Sequence, residues 1–384
     1  MKWEKVTLGE LYTVHNGLSK GAKFFGTGSP FLTFSTVFNN YFIPDKLTDL
    51  VQSTEKEQES YSISYGDVFV TRTSETSDEL GMSCVALKDY PQATYNGFCK
   101  RMRPIQQDRV CPQYIGYYMR MPSFRAEFQA FSTMTTRASL KNEDLLGLSV
   151  SLPPIDIQKR IANILSAYDH LIENNQKQIR LLEEAAQRLY KEWFVDLRFP
   201  GYENTEIVDG VPEGWQQLLL DQVAPILTGK KDANFSTING QYPFFTCAQI
   251  PLQAPAYSFD CNAVILAGNG DFNVKLYRGQ FEAYQRTYIL SPKNKEMLFL
   301  LFHAVNTSIA KLAQGASGST IKFLTKGMIA SIPVYVPDTL ILKKFNEMSE
   351  AIQEQVENLK SMIAYATEAR DRLLPKLMGG EIEM

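Results

Sequence analysis

The chain has 384 residues, of which 44% are hydrophobic and 21% are charged, and its formal net charge is −3. This length suffices for two or three domains with their own cores, and no apolar run is long enough to predict a membrane span. The five cysteines are widely spaced and form no CxxC pair, which argues against a disulfide framework or a structural zinc site. Residues 1–11 lack the apolar core of a signal peptide, and we expect a cytoplasmic protein.

The first predicted domain, residues 1–154, has mixed α and β character. β-rich runs at 67–71 and 83–87 predict strands, and residues 112–131 predict a helix. A strand-like segment then ends in two prolines, and Asp156 is the predicted N-cap of a long helix within residues 155–200.

The second predicted domain, residues 205–337, repeats this order. Strands are predicted at 263–267 and 284–290 and a helix at 296–314, and Asp338 is the predicted N-cap of a second long helix, residues 338–378. The apolar pattern of residues 3–17 recurs at 215–229, and that of residues 140–153 recurs at 324–337. We therefore expect an α+β protein, with two homologous mixed α/β domains separated by two long helices packed as an antiparallel coiled coil.

The evidence for the coiled coil is an alternating spacing of four and three between apolar residues. This 3.5-residue period predicts a seam that packs against another helix. The predicted seam consists of Ile161, Leu165, Tyr168, Ile172, Asn175, Ile179, Leu182 and Leu189 in the first helix, and Phe345, Ile352, Val356, Leu359, Ile363 and Leu373 in the second. Arg370 follows the same spacing and is expected to extend its charge to solvent. The alternative is two amphipathic helices, each packed only on its own domain.

The sequence lacks complete motifs of nucleotide-binding enzymes. Gly26-Thr-Gly28 lacks the rest of a dinucleotide fingerprint, and Thr228-Gly-Lys-Lys231 lacks the upstream glycine and the hydroxyl residue of a phosphate-binding loop. The three histidines are far apart in the sequence. We therefore expect no catalytic residue, no metal site and no cofactor in this chain.

Four segments resemble the specificity subunits of type I restriction–modification systems. They are Leu148-Ser-Val-Ser-Leu-Pro-Pro-Ile-Asp-Ile-Gln-Lys-Arg-Ile161, Leu189-Tyr-Lys-Glu-Trp-Phe-Val-Asp-Leu-Arg-Phe-Pro-Gly201, Gly210-Val-Pro-Glu-Gly-Trp215 and Arg372-Leu-Leu-Pro-Lys-Leu-Met-Gly-Gly-Glu-Ile382. The resemblance follows the order of these segments through nearly the whole chain. Residues 336–345 are a weaker copy, because they lack the second proline and the glutamine found at Pro154 and Gln158.

The resemblance implies a non-catalytic subunit whose two target-recognition domains each read one half of a split double-stranded DNA sequence. It also implies two methyltransferase subunits docked near the helix pair and nuclease–translocase subunits outside them, with helices that set the length of the unread spacer. The alternative is a coiled-coil scaffold whose two domains bind proteins. Because the net charge is −3, DNA contacts must come from local cationic clusters.

Candidate DNA contacts are the cationic, amide and hydroxyl side chains of predicted loops, which suit phosphates and base edges. In the first domain they are Lys20, Lys23, Arg72, Thr73, Ser74, Thr136, Arg137 and Lys141. In the second they are Lys230, Lys231, Asn269, Asn273, Lys275, Ser317, Ser319, Thr320 and Lys322. Arg72 is expected to fork onto a guanine edge and the asparagines to pair with adenine. Arg101 and Arg103 are expected to face solvent or a carboxylate.

Overall fold

The structure is a computed structural model that describes residues 3–74, 79–130, 138–316, 318 and 322–382. Its contacts divide the chain into two compact units. Unit 1 consists of Met1–Asn174 and Met362–Met384, and unit 2 consists of Asn175–Ser361. Within the described residues, no helix has both the length and the apolar character needed to cross a membrane.

Unit 1 combines short strands with helices. Its strands are β1 (Glu4–Thr7), β2 (Tyr12–Asn16), β3 (Phe25–Leu32), β4 (Leu50–Val51), β5 (Val68–Thr71), β6 (Thr73–Ser74), β7 (Ser83–Val85), β8 (Thr94–Tyr95), β9 (Cys99–Pro104), β10 (Ala138–Ser139) and β11 (Ser149–Leu152). Its helices are α1 (Leu8–Leu11), α2 (Phe34–Asn39), α3 (Glu55–Ser60), α4 (Pro112–Tyr118), α5 (Pro122–Ala130), α6 (Asn142–Gly147), the first part of α7 (Ile155–Tyr190) and the last part of α11 (Thr339–Met378). The central sheet has the order β2-β9-β5-β7.

Two predicted boundaries in unit 1 are wrong. The helix predicted over 112–131 is two helices, because Pro122 has no N–H to continue the bonding of α4 and begins α5 instead. Asp156 is not the N-cap of α7, since the helix already begins at Ile155. The N–H groups of Ile157 and Gln158 both donate to the carbonyl of Pro154, at 2.9 and 3.0 Å.

Unit 2 contains the second set of strands. They are β12 (Ile207–Val208), β13 (Val211–Pro212), β14 (Gln216–Leu219), β15 (Ile226–Thr228), β16 (Tyr242–Phe245), β17 (Leu252–Ala254), β18 (Phe259–Ala267), β19 (Val274–Ala283), β20 (Thr287–Leu290) and β21 (Pro333–Val336). The helices are α8 (Leu220–Val223), α9 (Leu298–Gly315), α10 (Lys326–Ala330), the end of α7 and the first part of α11 (Thr339–Met378). The main sheet has the order β15-β20-β18-β19-β16-β17.

The two long helices pack together inside each unit. In unit 1, Ile161 and Leu165 of α7 share one core with Leu374 and Leu377 of α11. The Arg370 guanidinium lies 2.6 Å from the Asp169 carboxylate and is largely buried. The prediction that its charge extends to solvent is therefore wrong.

In unit 2, the ring of Phe345 on α11 lies 6.3 Å from that of Tyr190 at the end of α7, and 4.8 Å from that of Phe194 just beyond it. The N-terminus of α11, which lies close to this contact in the sequence, is capped by a side chain. Asp338 Oδ1 accepts from the N–H groups of Leu340 and Ile341, at 2.8 and 3.0 Å, as the predicted N-cap requires.

All the predicted seam residues are buried or half-buried. Asn175, the polar residue of the seam, is 2% exposed, and residues outside the 4,3 spacing, such as Leu171 and Leu181, are exposed. The alternation of burial therefore follows the same 3.5-residue period as the sequence.

The two units repeat one strand framework in the same register. Strand β1 pairs with β11 as β14 pairs with β21, β2 with β9 as β15 with β20, and β5 with β9 as β18 with β20. Corresponding pairs are Glu4↔Leu152 and Gln216↔Val336, Val14↔Met102 and Ile226↔Leu290, and Val68↔Met102 and Val264↔Leu290. The predicted fold class is thus confirmed: an α+β protein with two homologous mixed domains and two long helices.

Two equivalent glycines permit a close backbone approach within each framework. A Cβ on Gly17 would lie 2.0 Å from the carbonyl oxygen of Asn96, and one on Gly229 would lie 2.2 Å from that of Ala283. We expect Gly17→Ala or Gly229→Ala to lower the free energy of unfolding by about 1–3 kcal/mol, because backbone must shift. Chemical denaturation measures this. Gly147→Ala, a helical site with open space around it, is the control and should leave stability equal or slightly raised; equal losses at all three sites would contradict the interpretation.

His303 of α9 is a buried base in the aromatic core of unit 2. Burial lowers its pKa from 6.5 to about 4, and its ring stacks on Tyr190 at 5.7 Å. Since the unfolded chain binds a proton at a higher pH than the folded chain, stability should fall as pH drops through the window from 6.5 to 4.

We expect His303 to account for about 2 kcal/mol of lost unfolding free energy between pH 7 and pH 5. Denaturation of His303→Phe at both pH values should give a correspondingly smaller loss. His170→Gln, at an exposed position of α7, is the matched control and should keep the wild-type pH dependence. A wild-type pH dependence in His303→Phe would contradict this, because it would mean that the imidazole binds its proton equally well in the folded and the unfolded chain.

Candidate nucleic-acid interface

The two candidate loops of unit 1 lie side by side. Arg72 directly follows β5; its N–H donates to the carbonyl of Phe98 at 2.9 Å, and its own carbonyl accepts from the N–H of Leu140 at 2.9 Å. The next residue, Thr73, pairs with Ser139 between β6 and β10. We call residues 72–74, 98 and 138–140 the unit 1 frame.

Positive charge gathers beside the unit 1 frame. The Lys100 ammonium donates to Asn142 Oδ1. Its pKa is lowered mainly by burial and secondly by the nearby positive charge of Arg72. Lys141, the residue before α6, is exposed. Sequence reasoning missed Lys100, the second residue of β9. The available signal was the presence of three cations within this one strand.

The other cations of unit 1 are partly committed to the protein. Lys20 Nζ lies 2.7 Å from Glu57 Oε1, whereas Lys23 is exposed; both ammonium groups lie 5.1 Å from the Phe24 ring centre. Lys23 is therefore the more available of the two for a phosphate.

Two arginines of β9 hold unit 1 together. Arg103 pairs with the buried Asp67 at 2.6 Å, as the expectation of a carboxylate partner allows. Arg101 is buried and donates to the carbonyl of Ser62 at 2.6 Å, so the expectation that it faces solvent or a carboxylate is wrong. A backbone carbonyl takes the place of both.

Unit 2 repeats the frame with other side chains. The N–H of Gly268 donates to the carbonyl of Arg286 at 2.8 Å, and its carbonyl accepts from the N–H of Leu324 at 2.8 Å. Asn269 then bridges to Phe323, as Thr73 does to Ser139. We call residues 268–270, 286 and 322–324 the unit 2 frame.

Two predicted contacts, Asn269 in this frame and Asn273 close to it in the sequence, have amide groups that are engaged within the protein. Asn273 donates to the carbonyls of Cys247 and Asp271, at 3.0 and 2.8 Å, and accepts from Lys275. Asn269 Oδ1 accepts from Cys247 Sγ at 2.6 Å. Pairing of Asn273 with adenine would require these bonds to break. Lys275 Nζ also donates to the carbonyl of Ala248 at 2.8 Å, and burial lowers its pKa.

The remaining cations near the unit 2 frame are more accessible. Lys230 and Lys322 are exposed, and the Lys231 ammonium lies 4.5 Å from the Phe235 ring centre. The predicted contacts Thr136, Arg137, Ser317, Ser319 and Thr320, and the side chain of Ser74, lie outside the described residues. Within the described part of the chain, no group of three or more His, Cys, Asp or Glu side chains has the arrangement of a metal site.

Comparison with protein families shows to which family the two repeats belong. The family model described as type I restriction modification DNA specificity domain matches residues 1–184 and 212–360. The chain belongs to the type I restriction–modification DNA specificity family. Both repeats fall inside the match, which confirms the resemblance found in the sequence.

Relatives in this DNA specificity family are similar in sequence to parts or most of the chain. The EcoDI specificity subunit of Escherichia coli is 36% identical over 176 residues, 45% of this chain and 39% of that protein, so the match spans less than half of that relative. The MjaIX specificity subunit of Methanocaldococcus jannaschii is 25% identical over 334 residues, 78% of this chain and 75% of that protein.

A solved structure of the DNA specificity family has the same fold. The S subunit of a type I restriction–modification system from M. genitalium aligns with a TM-score of 0.59 at 15% identity, over 98% of this chain and 96% of that one. At this identity the likeness extends to the fold and not to individual side chains.

Proposed function

We propose that this chain is the non-catalytic DNA-specificity subunit of a type I restriction–modification complex and reads a bipartite target, one recognition domain per half-site. The observation that carries the proposal is the repeated frame: the same backbone hydrogen bonds hold different side chains in the two units. Two domains of one framework with different side chains at the frame suit two different half-sites. The proposed recognition domains are residues 1–154 and 205–337, and the proposed spacer segments are residues 155–200, which contain α7 up to Tyr190, and residues 338–378, which contain α11.

The charges beside the frames support DNA as the ligand. Lys141 is exposed beside the unit 1 frame, and Lys322 is exposed within the unit 2 frame. Cations of this kind position a domain on phosphates, while a guanidinium such as that of Arg72 also distinguishes base edges. Because the net charge is −3, the isolated chain should bind DNA weakly and with strong salt dependence.

We further propose that two methyltransferase subunits dock on the long helices, with nuclease–translocase subunits outside them, in the cytoplasm. Both helices keep large apolar side chains exposed: Ile164, Leu171, Met362 and Tyr365 in unit 1, and Leu181 and Leu340 in unit 2. Apolar side chains such as these are removed from water when a partner packs on them, which favours association. The methyl donor and ATP would then bind to these partners.

The test is methylation by the assembled complex. Methylated bases are mapped in host DNA with and without this chain, and the complex is titrated with oligonucleotides that carry the mapped site. We expect a bipartite motif that is methylated only in the presence of the chain. Equal affinity of the complex for all sequences, in competition with mixed DNA, would contradict the proposal and favour a protein scaffold.

A further inference from the structure

The arginine of the unit 1 frame and an arginine of the unit 2 frame occupy opposite sides of the same backbone contact. In unit 1 the residue after the strand is Arg72, and the residue facing it is Phe98; in unit 2 these places are taken by Gly268 and Arg286. The hydrogen bond between the two places is 2.9 Å in unit 1 and 2.8 Å in unit 2. Unit 1 therefore carries its arginine on the residue that donates this hydrogen bond, and unit 2 carries its arginine on the residue that accepts it.

Strand register makes this equivalence independent of any alignment of the loops. In unit 1, Thr71 pairs with Cys99 immediately before Arg72; in unit 2, Ala267 pairs with Thr287 immediately before Gly268. The same places therefore follow from counting one residue along each strand.

Steric exclusion explains why the arginine of unit 2 is found at position 286 and not at position 268. A Cβ on Gly268 would lie 2.4 Å from the carbonyl oxygen of Arg286 and 2.8 Å from the Tyr288 ring. In unit 1 the place of Tyr288 is taken by Lys100, since both pair with the neighbouring strand in the same register. The backbone carbonyl of Arg286 and the Tyr288 ring thus leave no room for a side chain at Gly268, so of the two places only position 286 can carry a guanidinium.

The Arg286 side chain is exposed and available for an outside partner. Arg278 in the same sheet is paired with Glu350 at 2.7 Å, but no described residue forms an ion pair with Arg286. The carboxylates of the neighbouring loops have amide partners of their own: Asp232 accepts from Gln285 at 2.7 Å, and Asp271 accepts from Gln249. An exposed, unpaired guanidinium fits an acceptor pair on a ligand.

We propose that Arg286 is a specificity-determining residue that reads a guanine in the half-site bound by unit 2, as the counterpart of Arg72 in the other half-site. This inference rests on the proposed function. The guanidinium forks onto the O6 and N7 acceptors of guanine in the major groove, the pairing for which its geometry is best suited.

The test measures methylation rates of the assembled methyltransferase complex on the mapped bipartite site and on single-base substitutions of it. The half-site of unit 2 is the one that changes when residues 205–337 are exchanged for those of a relative. We expect Arg286→Ala to lower discrimination at one guanine of that half-site by about 10- to 100-fold, with the other half-site read normally. Arg72→Ala should have the reverse pattern.

Two further variants make the outcome decisive. Arg286→Lys keeps the charge but not the fork, and should lose the same discrimination while it retains overall affinity. Lys293→Ala, an exposed charge beyond the far end of β20, should read both half-sites as the wild type does. Unchanged discrimination in Arg286→Ala, or a uniform loss for every sequence with a reduced salt dependence, would overturn the inference. A wild-type complex that discriminates no bipartite site would instead overturn the proposed function.

Discussion

Replacement of Phe345 by alanine is expected to lower the free energy of unfolding by about 3–5 kcal/mol, because it leaves a cavity among large rings. Phe345 is fully buried, and its ring contacts those of Tyr190, Trp193 and Phe194 at centroid distances of 6.3, 6.1 and 4.8 Å. These residues join the start of α11 to the end of α7 within unit 2. Urea denaturation followed by circular dichroism measures the loss.

The matched control for this variant is Met348→Ala, one turn further along α11. Met348 is 46% exposed, and its loss should change stability by less than about 0.5 kcal/mol. Equal effects of the two substitutions would contradict the packing of the two helices against each other in unit 2.

Insertion of seven residues into both long helices, after Asn174 and after Ser361, is expected to lengthen the spacer of the recognised DNA by about three base pairs. Seven helical residues add roughly 10 Å, and each base pair occupies about 3.4 Å. Seven residues also preserve the 3.5-residue period of the seam. Mapping of methylated bases in the host measures spacer length and half-site sequence together.

Insertion into α7 alone is the control for the spacer prediction. It puts the two seams out of step and should reduce stability without giving a new, defined spacer. Altered half-site sequences with an unchanged spacer, after the double insertion, would contradict the division of roles between domains and helices.

Much of the fold could be predicted because its strongest determinants are repeated along the chain. The seam gave the two long helices and their buried faces, and Asp338 gave the start of α11. The strand pairings were beyond prediction, since Glu4 pairs with Leu152 across the whole domain. The prediction of Asp156 as the N-cap was wrong because the carbonyl of Pro154 accepts the first helical N–H groups, which places Asp156 inside the first turn.

The candidate interface was less accessible to sequence reasoning. Loop side chains could be selected by chemistry, but their partners come from distant segments: Asn273 is held by Cys247, and Lys20 by Glu57. Arg286 was not predicted, because only the strand register reveals that it faces the place equivalent to Arg72. Residue type selects possible contacts, whereas their availability depends on long-range packing.

The central claim, that each domain reads its own half of a DNA target, is tested most directly by a domain exchange. Residues 1–154 are replaced by the corresponding domain of a family member with a different target, and methylated bases are mapped in cells that contain the partner subunits. We predict that one half of the methylated motif changes to that of the donor, while the other half and the spacer length stay the same. A change in both halves, or in neither, would contradict the account.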